Sequence, residues 1–150
     1  MAYKQALVAV DLTEEADEVM AAVRAVAGDG NMSVSVVTVI KPLTNVYGGL
    51  DMVATVGTGI VTFEQEAKKQ AEKRLGALAK EYGFDDVRVL IGAPAVEIRE
   101  LASTLETDLI VIGTHGKHGL GLILGSTANA VLHGVPCDVL VVKIHSVEEG

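Results

Sequence analysis

The chain has 150 residues, a length typical of one globular domain, and 49% of them are apolar, too large a fraction for a disordered chain. Twenty acidic against 12 basic residues give a net charge of −8, and no cluster of lysine or arginine supplies the positive face that non-specific nucleic-acid binding needs. The composition therefore argues against DNA, RNA or an anionic membrane as the main partner.

Further features of the sequence predict a cytoplasmic protein. No apolar run approaches the roughly 18 residues that a membrane span requires, and the first residues lack the apolar segment of a signal peptide. Cys137 is the only cysteine, so no disulfide can form within the chain, in agreement with a reducing compartment. We expect a single domain over 1–150, with a core of about 3–143 and a flexible polar tail of 144–150.

Apolar runs rich in valine, isoleucine and leucine alternate along the chain with segments of helical periodicity. The first predicted strand, Lys4–Val10, is followed by Asp11 and by a helix for which Thr13 is a candidate N-cap. Residues 41–60 contain one proline and four glycines without a clear period, which predicts a long loop. The other predicted strands are Ser33–Ile40, Asp86–Ile91, Asp108–Ile112 and Cys137–Lys143.

Four helices are predicted, three of them with a continuous apolar stripe. The first stripe consists of Ala16, Met20, Val23 and Ala27, the second of Phe63, Ala67, Ala71, Leu75, Leu78 and Tyr82, and the third, after Pro94, of Ile98, Leu101, Ala102 and Leu105, whereas the short fourth helix runs from Ser126 to His133.

Strands that are apolar throughout and alternate with helices predict an open α/β fold, in which a parallel sheet is covered by helices on both faces. Five strands fit the order 3-2-1-4-5, which places the topological switch point between the first and the fourth strand. Ligands of such folds bind at the carboxyl ends of the strands at this point. Here those ends are Asp11 and the segment that begins at Gly113.

The glycine-rich segment between the fourth strand and the last helix is the most informative part of the sequence. Five glycines fall within the thirteen residues from Gly113 to Gly125, followed by Ser126 and Thr127 at a helix start. One interpretation is a plain connection in which glycines permit tight turns. The other is a phosphate or nucleotide site formed by bare backbone N–H groups and the helix N-terminus. In that case Gly116 lets the backbone approach the phosphates, Ser126 and Thr127 offer hydroxyls, and Lys117 adds a mobile positive charge.

Other polar residues leave alternatives open. Asp11 either caps the following turn or accepts hydrogen bonds from a ribose or an adenine amine. His115 and His118 have a spacing that can chelate a metal on a helix, but the surrounding glycines predict a loop. His115 can instead donate a hydrogen bond to phosphate or assist hydrolysis. Neither a P-loop nor a dinucleotide-binding fingerprint is present, and no residue pattern amounts to a catalytic signature.

Several segments of the sequence resemble one known family. The opening Met-Ala-Tyr-Lys and the run Leu7–Asp11 resemble bacterial universal stress proteins of the A class. Val111–Gly116, the pair Gly125-Ser126 and the terminal Val139–Lys143 resemble the ATP-binding branch. The chain is thus similar to the universal stress protein family over essentially its whole length. The resemblance implies a Rossmann-like, adenine nucleotide alpha hydrolase-like fold and a homodimer formed through the last strand, with Val139, Leu140, Val141 and Val142 at the interface.

The resemblance also implies a binding site. In the ATP-binding branch, a Gly-x2-Gly-x9-Gly-Ser/Thr motif holds the ATP phosphates, and Gly113, Gly116, Gly125, Ser126 and Thr127 match it by position. Asp11, Val39 and Ile112 then flank the adenine and the ribose. Only eight residues separate Gly116 from Gly125, which shifts the phosphate donors. With the two loop side chains added, the predicted nucleotide-binding residues are Asp11, Val39, Ile112, Gly113, His115, Gly116, Lys117, Gly125, Ser126 and Thr127.

Three functional hypotheses follow. The first is a stress-response protein that binds ATP, or AMP or ADP, with Mg²⁺ carried by the nucleotide, and acts without fast turnover as a switch or interaction module towards unidentified protein partners. The second, motivated by the shortened glycine segment, is an A-class dimer that binds no nucleotide and acts through protein partners. The third is a slow ATP hydrolase that uses His115 or a bound Mg²⁺. No catalytic residue and no metal site of the protein's own are predicted.

Overall fold

The computed structural model describes residues 3–13, 15–28, 30–42, 50–114 and 126–144, with their side chains except for those of 50–62. The strands are β1 (Gln5–Ala9), β2 (Ser33–Ile40), β3 (Asp86–Ile91), β4 (Leu109–Gly113) and β5 (Asp138–Val142). The helices are α1 (Ala16–Ala27), α2 (Leu50–Glu81), α3 (Pro94–Thr104) and α4 (Ser126–Leu132). The strands pair in parallel in the order β3-β2-β1-β4-β5, so the predicted fold class and strand order are confirmed.

Each face of the sheet has its own apolar core, because successive side chains of a strand point to opposite faces. Val8 of β1 belongs to a cluster with Met20 of α1 and Leu75 of α2. Leu7 belongs to a second cluster with Ile98 of α3 and with side chains of α4. These five side chains are almost fully buried, and each contributes about 1.5–3 kcal/mol through the apolar surface it removes from water. The helices therefore cover both faces, as the apolar strands predict.

Helix α2 begins at Leu50, so the prediction of a loop as far as residue 60 is wrong. Glycine in a helix interior costs about 1 kcal/mol relative to alanine but, unlike proline, removes no backbone hydrogen bond. A helix can therefore continue through Gly57 and Gly59, although their presence suggests a loop. Among the helices in the described ranges, none combines the length and the apolar character needed to cross a bilayer.

The apolar stripe predicted for α2 is correct only in its second half. Ala71 and Leu75 are buried against the sheet, and Tyr82 packs on the same cluster. Phe63, in contrast, is 68% exposed, and Ala67 is exposed as well. The helical period thus continues beyond the part of the helix that the sheet covers.

The start of helix α1 and the end of the ordered core also differ from the prediction. Thr13 is not the N-cap of α1, because the helix begins at Ala16 and Glu15 occupies the N-cap position without a side-chain hydrogen bond. Thr13 instead caps the turn before the helix, where its Oγ1 accepts a hydrogen bond from the backbone N–H of Glu15 at 3.3 Å. Ile144, assigned to a flexible tail, is 5% exposed and donates its N–H to Thr114 Oγ1 at 3.0 Å. Burial of this isoleucine extends the ordered core by one residue.

Side chains link the amino ends of four neighbouring strands. Asp108, just before β4, accepts hydrogen bonds from the backbone N–H groups of Lys4 at 3.0 Å and Gln5 at 2.9 Å. The Gln5 amide donates to the buried Ser35 hydroxyl at 3.1 Å, and this hydroxyl donates to Asp86 of β3. We call this chain of polar contacts, Asp108–Gln5–Ser35–Asp86, the amino-edge network. It fixes the register of β4, β1, β2 and β3 at the end of the sheet opposite to the switch point.

Candidate functional site

A cavity of about 380 Å³ opens at the carboxyl ends of β1, β2 and β4, where the strand order reverses. Parallel strands on either side of this point connect to helices on opposite faces, so the loops diverge and leave a crevice. The first turns of α1, α3 and α4 complete its walls. Of the predicted nucleotide-binding residues, the cavity brings together Asp11, Val39, Ile112, Gly113, Ser126 and Thr127.

The other predicted site residues, His115, Gly116, Lys117 and Gly125, lie outside the residues that the structure describes. His118, the second histidine of the metal-chelating alternative, lies there as well. In the described part of the chain, no group of three histidine, cysteine or acidic residues is placed to hold a metal ion.

One wall of the cavity is apolar. It consists of side chains that continue the second core cluster to the surface: Val37 and Val39 of β2, Ile98 of α3, Ile112 of β4 and Ala128 of α4. Such a wall can accommodate a flat ring without leaving buried polar groups unpaired. Val39 and Ile112 are thus in the region that suits a nucleobase.

Polar side chains line the cavity as well. Asp11 and Glu15 contribute two carboxylates, and Thr114, Ser126 and Thr127 contribute hydroxyls. Lys41, directly after β2, also lines the cavity and is exposed. Lys41 is not among the predicted site residues, because it falls in the segment for which the sequence predicts a loop. Its position directly after the predicted strand Ser33–Ile40, at the same edge of the sheet as Asp11, could have identified Lys41 as a site residue.

Asp11 has a structural partner already. Its Oδ1 accepts hydrogen bonds from the Thr13 backbone N–H at 3.2 Å and from the Thr13 hydroxyl at 2.7 Å. The capping alternative is therefore what the structure shows for this oxygen. Since Asp11 is exposed and lines the cavity, its second oxygen can still accept a hydrogen bond from a ligand.

Gly113 also has a packing role. A Cβ built on this residue would lie 2.9 Å from Val19 Cγ2, closer than real Cβ atoms approach other heavy atoms, and 3.0 Å from Ile144 Cδ1, tighter than most real contacts. Gly113 is not one of the described residues that have a positive φ, so its backbone conformation does not require glycine. The glycine is needed because α1 and the segment after β5 close over the end of β4.

The comparisons with known proteins agree with this architecture. The model of the universal stress protein family matches residues 2–143. The chain belongs to the universal stress protein family. Universal stress protein A homolog 1 of Coxiella burnetii is 40% identical over 144 residues, which cover 95% of this chain and 97% of the homolog.

Solved structures of universal stress proteins share the fold. A protein whose biochemical function was assigned from its structure superimposes with a TM-score of 0.78 at 26% identity, covering 97% of this chain and 99% of that one. A universal stress protein in complex with cAMP gives a TM-score of 0.60 at 24% identity, with 95% and 98% covered. The Archaeoglobus fulgidus universal stress protein in complex with dAMP gives 0.61 at 21% identity, with 95% and 100% covered. At these identities, the last two comparisons show a shared fold only.

Proposed function

We propose that this universal stress protein binds an adenine nucleotide, ATP or the related AMP or ADP, in the cavity at the switch point. We further propose that it acts in the cytoplasm as a stress-response switch or interaction module without fast turnover. The observation that carries the proposal is the cavity itself, which joins apolar side chains to the Thr114 hydroxyl after β4 and to the Ser126 and Thr127 hydroxyls at the start of α4. Relatives of the same fold in complex with cAMP and dAMP support the choice of an adenine ligand.

The residues divide into three roles in this proposal. Val39 and Ile112 flank the base, and the second carboxylate oxygen of Asp11 accepts a hydrogen bond from the ribose. Ser126 and Thr127 donate their hydroxyls to phosphate, and Lys41 offsets part of the phosphate charge at the mouth. The glycines of the loop (Gly113, Gly116 and Gly125) offer backbone N–H groups, while His115 and Lys117 add donors.

Isothermal titration calorimetry with ATP, AMP and cAMP tests the proposal. A Ser126→Glu variant places a negative charge at the cavity wall and should weaken binding of each nucleotide at least tenfold. His133→Glu is the matched control, because His133 is also exposed and follows the other end of α4. Absence of heat and of a thermal shift at millimolar nucleotide would reject the proposal, as would equal binding by both variants.

A second candidate function is that of a module that binds no nucleotide and acts only through protein partners. The observations that favour it are structural roles for two predicted ligand residues. One oxygen of Asp11 is bonded to Thr13, and Gly113 is required by Val19 and Ile144. Nucleotide retained through purification, seen as excess absorbance near 260 nm, would count against this candidate, because the chain has no tryptophan and few tyrosines.

Slow hydrolysis of a bound ATP, with Mg²⁺ carried by the nucleotide, remains a third prediction. If His115 takes part, phosphate release should fall at least tenfold in His115→Ala at unchanged nucleotide affinity. Release that does not depend on this substitution and disappears on further purification would show a contaminating enzyme instead.

We also propose a homodimer formed through the exposed edge of β5, with Val139, Leu140, Val141 and Val142 at the interface. The Val142 carbonyl accepts a hydrogen bond from Thr114 N–H at 2.9 Å, so the backbone groups of Val142 face β4. Because alternate residues of a parallel strand face opposite neighbours, the backbone N–H groups of Val139 and Val141 point to the open edge. Proline tolerates such an outward position. Val141→Pro should therefore give a monomer by light scattering, while Leu140→Pro should disrupt the fold. A wild-type mass of one chain at micromolar concentration would contradict the dimer.

A further inference from the structure

Helix α2 contacts the turn that forms one side of the cavity. Nη2 of Arg74, in the second half of this helix, donates a hydrogen bond to the backbone carbonyl of Leu12 at 2.7 Å. Arg74 is exposed and does not line the cavity. Its contact with the site therefore runs through the turn to which it donates.

The turn Asp11–Thr13 has an unusual backbone conformation. Leu12 has a φ of 58°, in the left-handed region that residues with a side chain rarely adopt. Such a conformation persists only where its surroundings determine it. The described contacts are the Asp11–Thr13 hydrogen bonds, the packing of Leu12 on the first core cluster and the Arg74 bond to the carbonyl.

The turn determines where the carboxylates of the cavity lie. Asp11 is its first residue, and Glu15 is joined to it through the Thr13 hydroxyl at 3.3 Å. Both carboxylates line the cavity. A change in the conformation of Leu12 would rotate its two flanking peptide planes and move Asp11 relative to the end of β1.

We propose that Arg74 is a positioning residue, which holds the Asp11–Thr13 turn in its left-handed conformation and thereby couples helix α2 to the ligand cavity. The effect on nucleotide affinity rests on the proposed function. The effect on the turn itself does not, and it can be measured without a ligand.

The first measurement is amide hydrogen exchange of Thr13 and Glu15 in the unliganded protein. Both amides should exchange at least fivefold faster in Arg74→Met than in the wild type. Lys73→Met is the matched control, because Lys73 is the exposed neighbour in the same helix and its loss changes the net charge equally. Arg74→Lys should restore protection in part, because an ammonium group can still donate to one carbonyl.

The second measurement is titration of the same variants with AMP. We expect Arg74→Met to weaken AMP binding three- to tenfold and Lys73→Met less than twofold. In a Leu12→Asn background, Arg74→Met should weaken AMP binding less than it does in the wild-type background, because asparagine tolerates the left-handed conformation without external support. A merely electrostatic role of Arg74 would give the same loss in both backgrounds.

Unchanged exchange at Thr13 and Glu15 in Arg74→Met would overturn the proposal, whatever the affinities. Equal effects of Arg74→Met and Lys73→Met on exchange would also overturn it, because they would indicate a general effect of charge. If the wild type binds neither AMP nor ATP, the proposed function fails, and the exchange data alone decide on the role of Arg74.

Discussion

Replacing Gly113 with alanine should destabilise the unliganded protein by about 2 kcal/mol, within the range of roughly 1–3 kcal/mol for overpacked cores. The added methyl group would lie 2.9 Å from Val19 Cγ2 and 3.0 Å from Ile144 Cδ1. Both neighbours are buried, so the methyl group can be accommodated only if a packed side chain moves. No positive φ contributes to the cost, and the whole effect is therefore steric.

Gly76→Ala is the matched control for this substitution. Gly76 lies inside helix α2, and a Cβ at this position would have no heavy atom within 4 Å. Alanine there should stabilise the protein by about 0.5–1 kcal/mol, because glycine in a helix loses more backbone entropy on folding. For a chain of this length, roughly 2–4 °C per kcal/mol is expected, so the midpoint should fall by about 4–8 °C in Gly113→Ala and rise by about 1–4 °C in Gly76→Ala.

Urea unfolding and scanning calorimetry without nucleotide measure both changes. Ile144→Val removes the Cδ1 atom that blocks the new methyl group, so the double variant Gly113→Ala/Ile144→Val should lose less stability than the sum of the single changes by at least about 0.5 kcal/mol. A Gly113→Ala protein as stable as the wild type, or strictly additive effects of the two changes, would refute the packing explanation for Gly113.

Three further predictions concern stability and reactivity. Burial would raise the pKa of Asp108, but hydrogen bonds from the backbone N–H groups of Lys4 and Gln5 outweigh it and lower the pKa below its ordinary value. The stabilisation of the folded protein by the ionised Asp108 carboxylate is therefore complete above a pH of about 4, and it is lost as the pH falls through the pKa of the folded state. The difference in melting temperature between the wild type and Asp108→Asn should thus narrow below about pH 4. Burial likewise raises the pKa of the Cys137 thiol, and iodoacetamide should modify it at pH 8 at least tenfold more slowly in the folded than in the unfolded protein; equal rates would show an accessible thiolate. Leu75→Ala should cost about 2–5 kcal/mol in urea unfolding, whereas Phe63→Ser should change stability by less than about 0.5 kcal/mol, and similar costs would mean that the exposed Phe63 is covered in solution.

The strands and their order could be predicted because strands that are buried on both faces of a sheet appear in the sequence as continuous apolar runs. Ser33–Ile40 and Asp86–Ile91 are confirmed with their bounds, and the other strands differ by about one residue at their ends. Position at the carboxyl end of the first strand predicted Asp11 as a residue of the switch point, and the family resemblance added Val39 and Ile112. One cavity brings the three together.

Features that depend on the surroundings of a residue could not be predicted in this way. The start of α2 at Leu50 is contrary to local propensity, because Gly57 and Gly59 lie near the beginning of the helix. The left-handed Leu12 is supported by Arg74, which is 62 positions away in sequence. The packing of Val19 and Ile144 on Gly113 likewise joins residues distant in sequence, so a glycine that resembles a ligand contact can have a steric purpose.

The amino-edge network has a consequence for how this framework can vary. Its side-chain hydrogen bonds join four strands at the end of the sheet opposite to the switch point, so these contacts lie apart from the connections at the other end. Substitutions, insertions or deletions between Thr114 and Ser126 are then separated from the determinants of strand pairing. A chain with such a network can vary its glycine-rich segment in length and sequence while it keeps the same underlying architecture.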